Sequence, residues 1–244
     1  MSRNKAFGRR VVQELLDSKL VVQEILYSNS IRGHDLDDII ASAKDQGIRI
    51  APVSRQELDR MAPDENHQGI IAFFEGVKVI SLEEVISDLD NENPAPIIIL
   101  DGVEDPHNLG AIIRSAEVFG ACAVIIRSRR SASLTPATIK ASAGAALRLP
   151  VAVVPNIDRA IRSLKDAGVW IYGFILETEE SIWQADITGN VGLVLGSEGK
   201  GISRLVRERC DRLLKIPQRG EVGSLNVSVS AGIVLAEWSR QSFS

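Results

Sequence analysis

Three stretches of the sequence place polar residues and glycines directly after runs of apolar residues. The first, DGVEDPHNLGAIIRSAEVFGA, contains Asn108 followed six residues later by Arg114. The second, GSEGKGIS, contains Glu198, and the third, IPQRGEVGSLNVSVSAG, contains Asn226. Amide, carboxylate and guanidinium groups can orient a polar substrate, anchor a phosphate or move a proton. The glycines let the backbone approach a ligand closely, so these stretches are typical of a binding or catalytic site.

The glycine-rich second stretch fits neither common nucleotide-binding motif. A Walker A loop needs four residues between its first glycine and the Gly-Lys pair, but only two separate Gly196 from Gly199. Lys200 is followed by Gly201 rather than by Ser or Thr. The dinucleotide fingerprint follows the first strand of its fold, whereas this stretch comes late in the chain. These mismatches disfavour an unrelated nucleotide-binding α/β enzyme.

The third stretch predicts a helix that begins with poor helix formers. Residues 224–230 read Ser-Leu-Asn-Val-Ser-Val-Ser, and four of these seven residues are polar. Their small size suggests that another segment of the chain passes close by. The Asn226 side chain can cap the helix or hydrogen-bond to that other segment. The two roles do not exclude each other, and the sequence leaves both open.

Apolar runs alternating with helical patterns place the three stretches at the ends of strands. From residue 97 onward, continuous apolar runs such as IIIL predict a parallel sheet that is covered on both faces. In such sheets, ligands bind beyond the carboxyl ends of the strands. Residues 8–75 predict a smaller α/β unit with the same alternation. We therefore expect a small domain at 1–75, an acidic, proline-containing linker at 76–95, and a larger domain at 96–244.

Composition narrows the class of protein. Of the 244 residues, 45% are hydrophobic, which predicts a folded core. The chain contains only two cysteines, Cys122 and Cys210, so we expect a reducing compartment rather than a disulfide framework. Neither cysteine has another cysteine or a histidine at metal-ligand spacing, so we expect no metal site. The amino-terminal residues lack the apolar core of a signal peptide, and no apolar run could span a bilayer. We expect a cytoplasmic protein that does not bind membranes.

Basic residues cluster locally, although the net charge is -4. Residues 1–10 contain four basic side chains and no acidic one, and residues 125–150 contain five and none. Such patches suit a phosphate-bearing partner that meets one face of the protein, or they are merely a solvated surface. The predicted phosphate-contacting residues are Arg3, Arg9, Arg10, Arg129 and Arg130.

Together and in this order, the three stretches resemble the three sequence motifs of the SpoU family of RNA 2'-O-ribose methyltransferases, also called the TrmH family. Residues 1–75 resemble the small RNA-binding domain of that family, which is similar to ribosomal protein L30e, so the resemblance covers nearly the whole chain. It implies a SPOUT-type parallel sheet whose carboxyl-terminal segment forms a deep trefoil knot. It also implies S-adenosylmethionine as the methyl donor and a homodimer.

The same resemblance implies roles for individual residues. Arg114 corresponds to the family's base, although a guanidinium is normally locked in its protonated form, so a role as phosphate anchor stays open. Asn108 is expected to hydrogen-bond Arg114 or the ribose, and Glu198 to orient the substrate or a catalytic partner. With Asn226, these form the predicted catalytic set. The predicted cofactor contacts are Gly196, Ile216, Ser224 and Leu225. At Gly196, we expect any side chain to fill the space that the adenosine needs.

The expected activity is methylation of the ribose 2'-hydroxyl of a guanosine in 23S rRNA. A tRNA 2'-O-methyltransferase of the same family is the near alternative, because substrate choice depends on surface shape that the sequence does not reveal. A non-catalytic RNA-binding protein that kept the fold is the alternative of another class. The presence of Asn108, Arg114, Glu198 and Asn226 favours the enzyme.

Overall fold

The chain folds around two β-sheets, as seen in a computed structural model that describes residues 3–17, 20–30, 33–63, 66–75, 79–128, 131–132, 134–220 and 223–243. The amino-terminal elements are β1 (Arg3–Phe7), α1 (Arg9–Leu16), β2 (Val22–Ser28), α2 (His34–Asp45), β3 (Arg49–Val53), α3 (Arg55–Met61) and β4 (Ile70–Glu75). They form a sheet of order β1-β4-β2-β3, in which β4 is antiparallel to both neighbours and β2 is parallel to β3.

The remaining elements form a larger sheet in which every pairing is parallel. Its order is β11-β9-β10-β6-β7-β8-β5. The strands are β5 (Val79–Ile80), β6 (Ile97–Asp101), β7 (Ala123–Arg127), β8 (Val151–Val154), β9 (Trp170–Phe174), β10 (Val191–Gly196) and β11 (Arg212–Leu214). The helices are α4 (Leu82–Ser87), α5 (Pro106–Val118), α6 (Pro136–Ala141), α7 (Ile157–Asp166), α8 (Arg204–Arg207) and α9 (Val227–Ser242), with 3-10 turns at Ala145–Leu147 and Ile182–Gln184.

Central strand β6 shows why the larger sheet is buried on both faces. Its residues are buried throughout, and successive side chains point to opposite faces of the sheet. Ile98 and Leu100 belong to the buried cluster that contains α5 and α9 residues, whereas Ile97 and Ile99 belong to the cluster that contains α7 residues. The predicted parallel sheet with both faces covered is therefore confirmed.

Two strands and one helix were not anticipated from the sequence. Strand β1 adds an edge to the small sheet, and β5 adds an edge to the large one by pairing with β8. Helix α4 follows β5 and begins with a capping box between Ser81 and Glu84. The segment 76–95, predicted as a linker, therefore carries secondary structure of the larger sheet from Val79 onward. Short elements of this kind have too few residues to give a periodic signal.

The two sheets share buried surface. Helix α1 of the small unit lies against α6 of the large unit, and Val12 and Ile139 belong to the same buried cluster. The division into two domains and the carboxyl-terminal knot both stay predictions. No helix within the described ranges is both long enough and apolar enough to cross a membrane.

Candidate active site

The three chemically suggestive stretches meet at the carboxyl edge of the large sheet. Strands β6 and β10 are neighbours, and their last residues, Asp101 and Gly196, are paired in register. The loop after β6 leads into α5, and the loop after β10 leads into α8. The buried Asp101 carboxylate joins the two loops, because its Oδ2 atom accepts a hydrogen bond from the Ser203 N–H at 2.7 Å. The prediction that these stretches lie together at strand ends is confirmed.

Asn108, Glu198 and Asn226 form a closed set of hydrogen bonds, called here the polar triangle. The Asn108 Nδ2 atom donates to Glu198 Oε1 at 3.2 Å. The Asn226 Nδ2 atom donates to the same Glu198 oxygen at 2.6 Å and to Asn108 Oδ1 at 3.0 Å. These contacts hold together three segments that are far apart in the chain. The expected hydrogen bond from Asn108 to Arg114 is not the one formed, because the Asn108 side chain is directed to Glu198 and Asn226 instead.

Asn226 also caps helix α9. Its Oδ1 atom accepts hydrogen bonds from the backbone N–H groups of Ser228 at 2.9 Å and Val229 at 3.3 Å. The side chain therefore serves both roles that the sequence left open, with its oxygen turned to the helix and its nitrogen turned to the triangle. The helix itself begins at Val227, so Ser224 and Leu225 precede it rather than forming its first turn.

A cavity of about 560 Å³ lies at this edge of the sheet. Its lining includes all four predicted cofactor contacts, Gly196, Ile216, Ser224 and Leu225, and also Glu198. Its volume falls within the range of about 300–1,000 Å³ that is usual for small-molecule sites. Apolar side chains line it beside backbone and polar groups, a mixture that suits a ligand with a flat ring and several polar atoms.

Gly196 is required by the shape of its own loop. A Cβ atom at this position would lie 2.0 Å from the backbone carbon of Gly201 and 2.2 Å from the backbone nitrogen of Ile202. Such distances force the backbone to move, because the contacts are with main-chain atoms rather than with flexible side chains. The sequence-based reason, that a side chain would fill the space of the adenosine, is therefore wrong in its mechanism. The loop 197–201 folds back onto the end of β10, with Ser197 and Gly201 bridged by hydrogen bonds.

A second cavity of about 280 Å³ lies next to the first. Its lining includes the loop 102–105 and Asn108, and it shares four residues with the larger cavity. The shared residues are Ser197, Glu198, Lys200 and Val227. Glu198, in the polar triangle, thus lines both cavities. Molecules bound in the two cavities would both lie beside this residue.

Arg114 lies outside both cavities of the single chain. It is an exposed residue of α5, six positions after Asn108, and this spacing corresponds to about 9 Å along the helix axis. Within the described ranges, no hydrogen bond or ion pair of its side chain is found. The structure thus brings together three of the four predicted catalytic residues and leaves the Arg114 guanidinium turned to solvent.

The predicted phosphate-contacting arginines are only partly covered by the structure. Arg9 and Arg10 belong to α1 of the small unit, and Arg129 and Arg130 lie outside the described residues. Arg3 begins β1, and its side chain also lies outside the described set.

The basic residues of 200–219 are largely neutralised by carboxylates. The ion pairs are Arg204 with Glu208, Arg209 with Asp158, Arg212 with Glu180 and Lys215 with Glu179. Hydrogen bonds from Arg209 and Arg162 hold the pKa of the Asp158 carboxyl below its usual value. The basic residues of 200–219 are therefore expected to attract a phosphate less strongly than their number suggests.

Two charged residues that line the larger cavity, Glu177 and Arg207, escaped the sequence analysis. Lys200 also lines it, and the sequence analysis considered this residue only in the test for a Walker A loop. Glu177 follows the end of β9, and Arg207 ends α8. The position of Glu177 after a strand of a parallel sheet is the signal that could have identified it, but Glu177 belongs to no motif with a recognisable spacing.

Other candidate reactive groups have structural roles. The buried His67 ring accepts a hydrogen bond from the Gly69 N–H at 3.0 Å through Nδ1, and its Nε2 lies 2.8 Å from Asp59. Burial raises the pKa of the Cys122 thiol to about 11 and that of the Cys210 thiol to about 12, so both are protonated at neutral pH. No group of three or more potential metal ligands occurs among the residues that the structure describes.

The sequence and fold match a known class of RNA-modifying proteins. Residues 95–236 match the SpoU rRNA Methylase family, and residues 5–79 match a family described as RNA 2'-O ribose methyltransferase substrate binding. The chain therefore belongs to the SpoU rRNA methylase family.

Particular relatives are similar over nearly the whole chain. The chain is 43% identical to the 23S rRNA (guanosine-2'-O-)-methyltransferase RlmB of Coxiella burnetii, over 99% of this chain and 97% of that protein. It is also 43% identical to RlmB of Xanthomonas campestris, over 90% of this chain and 89% of that protein. Among solved structures, the AdoMet-bound rRNA methyltransferase from Sinorhizobium meliloti is 26% identical with a TM-score of 0.65, over 98% of this chain and 87% of that one.

Proposed function

We propose that this protein transfers a methyl group from S-adenosylmethionine to the ribose 2'-hydroxyl of a guanosine in 23S rRNA. The observation that carries the proposal is the polar triangle, which joins the three motifs of the SpoU family and whose Glu198 lines both of two adjoining cavities. The names of the RlmB relatives support guanosine and 23S rRNA as the substrate.

The larger cavity is the proposed site of S-adenosylmethionine. Its volume and its apolar walls suit an adenosine that carries a polar chain. When bound, the sulfonium supplies an activated methyl group that needs neither a metal nor a prior covalent step. The side of the cavity next to the carboxyl-terminal segment is lined by Ile216, Ser224 and Leu225. Glu198 lies on the side proposed for the RNA substrate.

In the proposed mechanism, the polar triangle orients the attacking hydroxyl. Both amide hydrogen bonds go to Oε1 of Glu198, so Oε2 is the oxygen left to receive the hydrogen of the ribose hydroxyl. Asn108 and Asn226 fix the rotamer of this carboxylate, and fixed geometry of this kind can supply several kcal/mol of barrier lowering. Arg114 is proposed to bind the phosphate next to the target ribose or to assist removal of the proton.

We further propose a homodimer that forms through α5 and α9. These helices pack against each other, and their outer face exposes Val118 to 67% and Val229 to 50%. Ile233 and Ala236 extend this apolar face at helical spacing from Val229. A partner that covers this face would also bring a second α5, with its Arg114, to the vicinity of the site.

Light scattering of the wild-type protein should give about twice the chain mass of 26.5 kDa. Val229→Asp should shift the protein towards the monomer, because it places a charge in the covered face. Leu205→Asp, at an equally exposed residue of α8, is the matched control and should leave the mass unchanged. A wild-type monomer at working concentration would overturn the proposal.

RNA is proposed to lie across the small unit and the active-site edge, in contact with Arg9, Arg10, Arg129 and Arg130. The double replacement Arg9→Gln with Arg10→Gln should weaken RNA binding. It should also flatten the salt dependence by roughly one unit of logarithmic slope for each phosphate that the variant no longer neutralises. Arg55→Gln with Arg60→Gln, in α3 on the other face of the small sheet, is the control. If the salt dependence of RNA binding had the same slope in both double variants, Arg9 and Arg10 would be solvated surface residues that do not contact phosphates.

The domain division and the knot are part of the same proposal. We propose that residues 1–75 form a substrate-binding domain and 96–244 a catalytic domain, with 76–95 between them. Ile216, Gln218 and residues 223–225 line the larger cavity together with the loop 197–201, which supports a threaded carboxyl-terminal segment. Ribosomal RNA as substrate supports a location in the cytoplasm.

Mass mapping of 2'-O-methyl groups in cells that lack this protein tests the proposed function. One 2'-O-methylguanosine of 23S rRNA should disappear, and expression of the wild-type chain should restore it. A methyl group missing from tRNA alone would support the tRNA alternative. No change in either RNA, together with RNA binding by the purified protein, would support a non-catalytic RNA-binding role.

A further inference from the structure

Glu177 is the one glutamate of an acidic loop that lines the larger cavity. The loop contains Glu177, Glu179 and Glu180. Glu180 pairs with Arg212, and Glu179 lies 3.7 Å from the Lys215 ammonium. Glu177 lines the cavity, and no hydrogen bond or ion pair of its carboxylate is found within the described ranges. An acceptor-only group in this position is available to a ligand.

The backbone around Glu177 is firmly held. The Arg207 Nη2 atom donates to the Glu177 carbonyl oxygen at 3.4 Å, and the Thr178 hydroxyl donates to the Leu213 carbonyl oxygen at 3.1 Å. The Ile175 N–H donates to the Leu214 carbonyl oxygen at 3.0 Å. These bonds join the loop to α8 and β11. The carboxylate is therefore presented from a fixed point.

Glu177 lies at the end of the cavity that is away from the polar triangle. It follows β9, which is separated from β6 by β10, whereas the triangle lies between the loops of β6 and β10. The walls near Glu177 are apolar and include Phe174, Leu176 and Ile216. Leu176 is 45% exposed, so a flat ring that covers it would bury apolar surface. The opposite end is formed by the polar loop 197–201.

We propose that the Glu177 carboxylate accepts hydrogen bonds from the two ribose hydroxyls of the cofactor's adenosine. The apolar walls beside it suit the adenine, and a carboxylate offers acceptor positions to both hydroxyls of a vicinal diol. The α-ammonium of the cofactor is the other group that a carboxylate would bind. The Arg207 guanidinium beside Glu177 disfavours a second cation there. This inference rests on the placement of S-adenosylmethionine in the larger cavity proposed above.

Calorimetry with two ligands tests the assignment. S-adenosylhomocysteine contains both the adenosine and the amino-acid end, whereas 5'-deoxy-5'-methylthioadenosine contains the adenosine alone. Glu177→Ala should weaken both ligands by about 10- to 100-fold, because the variant has no charged acceptor for their hydroxyls. Glu177→Gln should weaken them less, since one acceptor remains. Glu179→Ala is the matched control, because its carboxylate lies in the same loop and pairs with Lys215.

Each outcome separates the possibilities. Wild-type affinity of Glu177→Ala for both ligands would overturn the inference. Weakening of S-adenosylhomocysteine alone would also overturn it, because Glu177 would then hold the amino-acid end. If the wild-type protein bound neither ligand, the placement of the cofactor in the larger cavity would fail instead. Thermal melting of both Glu177 variants shows whether a weaker affinity reflects incomplete folding, and Glu177→Gln serves where Glu177→Ala is unstable.

Discussion

Replacing Arg114 with Ala should lower the rate of methyl transfer by about a hundredfold or more and leave cofactor affinity nearly unchanged. Loss of a positioned charge-stabilising or proton-transferring group has an effect of this size. Cofactor affinity should survive because Arg114 does not line the larger cavity. The fold should also survive, since the side chain is exposed on α5.

Arg114→Lys distinguishes the two roles proposed for this residue. Lysine keeps the positive charge, loses the planar fork and has a lower intrinsic pKa of about 10.4. If Arg114 anchors a phosphate, the Lys variant should keep part of its activity and show a raised KM for RNA. If Arg114 is a base, the pH dependence of the Lys variant should shift with the pKa of the new group.

Arg159→Ala is the control for both Arg114 variants. Arg159 is an exposed arginine of α7, which packs on the other face of the large sheet. It should show the small loss that follows from removing one surface charge. Methylation of RNA at the wild-type rate by Arg114→Ala would show that Arg114 has no catalytic role, and the reacting groups would then have to be sought in the polar triangle alone.

The sequence predicted the large sheet because local and global signals agree there. The strand Ile97–Asp101 is apolar at every position but the last. A continuous apolar run of this kind is typical of a strand that is buried on both faces of a parallel sheet. The edge strands β1 and β5 were missed for the opposite reason. Strand β1 is five residues long and begins with three polar residues, Arg3, Asn4 and Lys5, and β5 has two residues. Strands β1 and β5 form because they pair with a neighbouring strand of a sheet, and the local sequence does not show that pairing.

Three residues of the polar triangle were predictable from the sequence, but the hydrogen bonds between them were not. The resemblance to the SpoU motifs identified Asn108, Glu198 and Asn226, yet their mutual hydrogen bonds join residues separated by 90, 118 and 28 positions. Such contacts depend on how strands are ordered in the sheet. Glu177 was missed because it belongs to no motif, and only the fold shows which of three neighbouring glutamates lines the cavity.

Asn226 allows stability and activity to be separated, because its two ends serve different structures. Asn226→Ala should lower the free energy of unfolding by about 1 kcal/mol through loss of the α9 cap, and it should also lower methyl transfer. Asn226→Ser should keep the cap, since serine is a good N-cap residue, but it lacks the Nδ2 donor to Glu198 and Asn108. We therefore expect Asn226→Ser to be nearly as stable as the wild type and still to lose activity by roughly tenfold to a hundredfold.

Asn156 supplies the matched control, because it caps α7 through a hydrogen bond from the Arg159 N–H at 3.2 Å and takes no part in the triangle. Asn156→Ala should show the same loss of stability with wild-type kcat. Thermal unfolding and single-turnover methylation measure the two quantities on the same samples. If Asn226→Ser methylates RNA as fast as the wild type, the bond to Glu198 is not needed to orient that carboxylate. Asn226 would then be a cap alone, as Asn156 is.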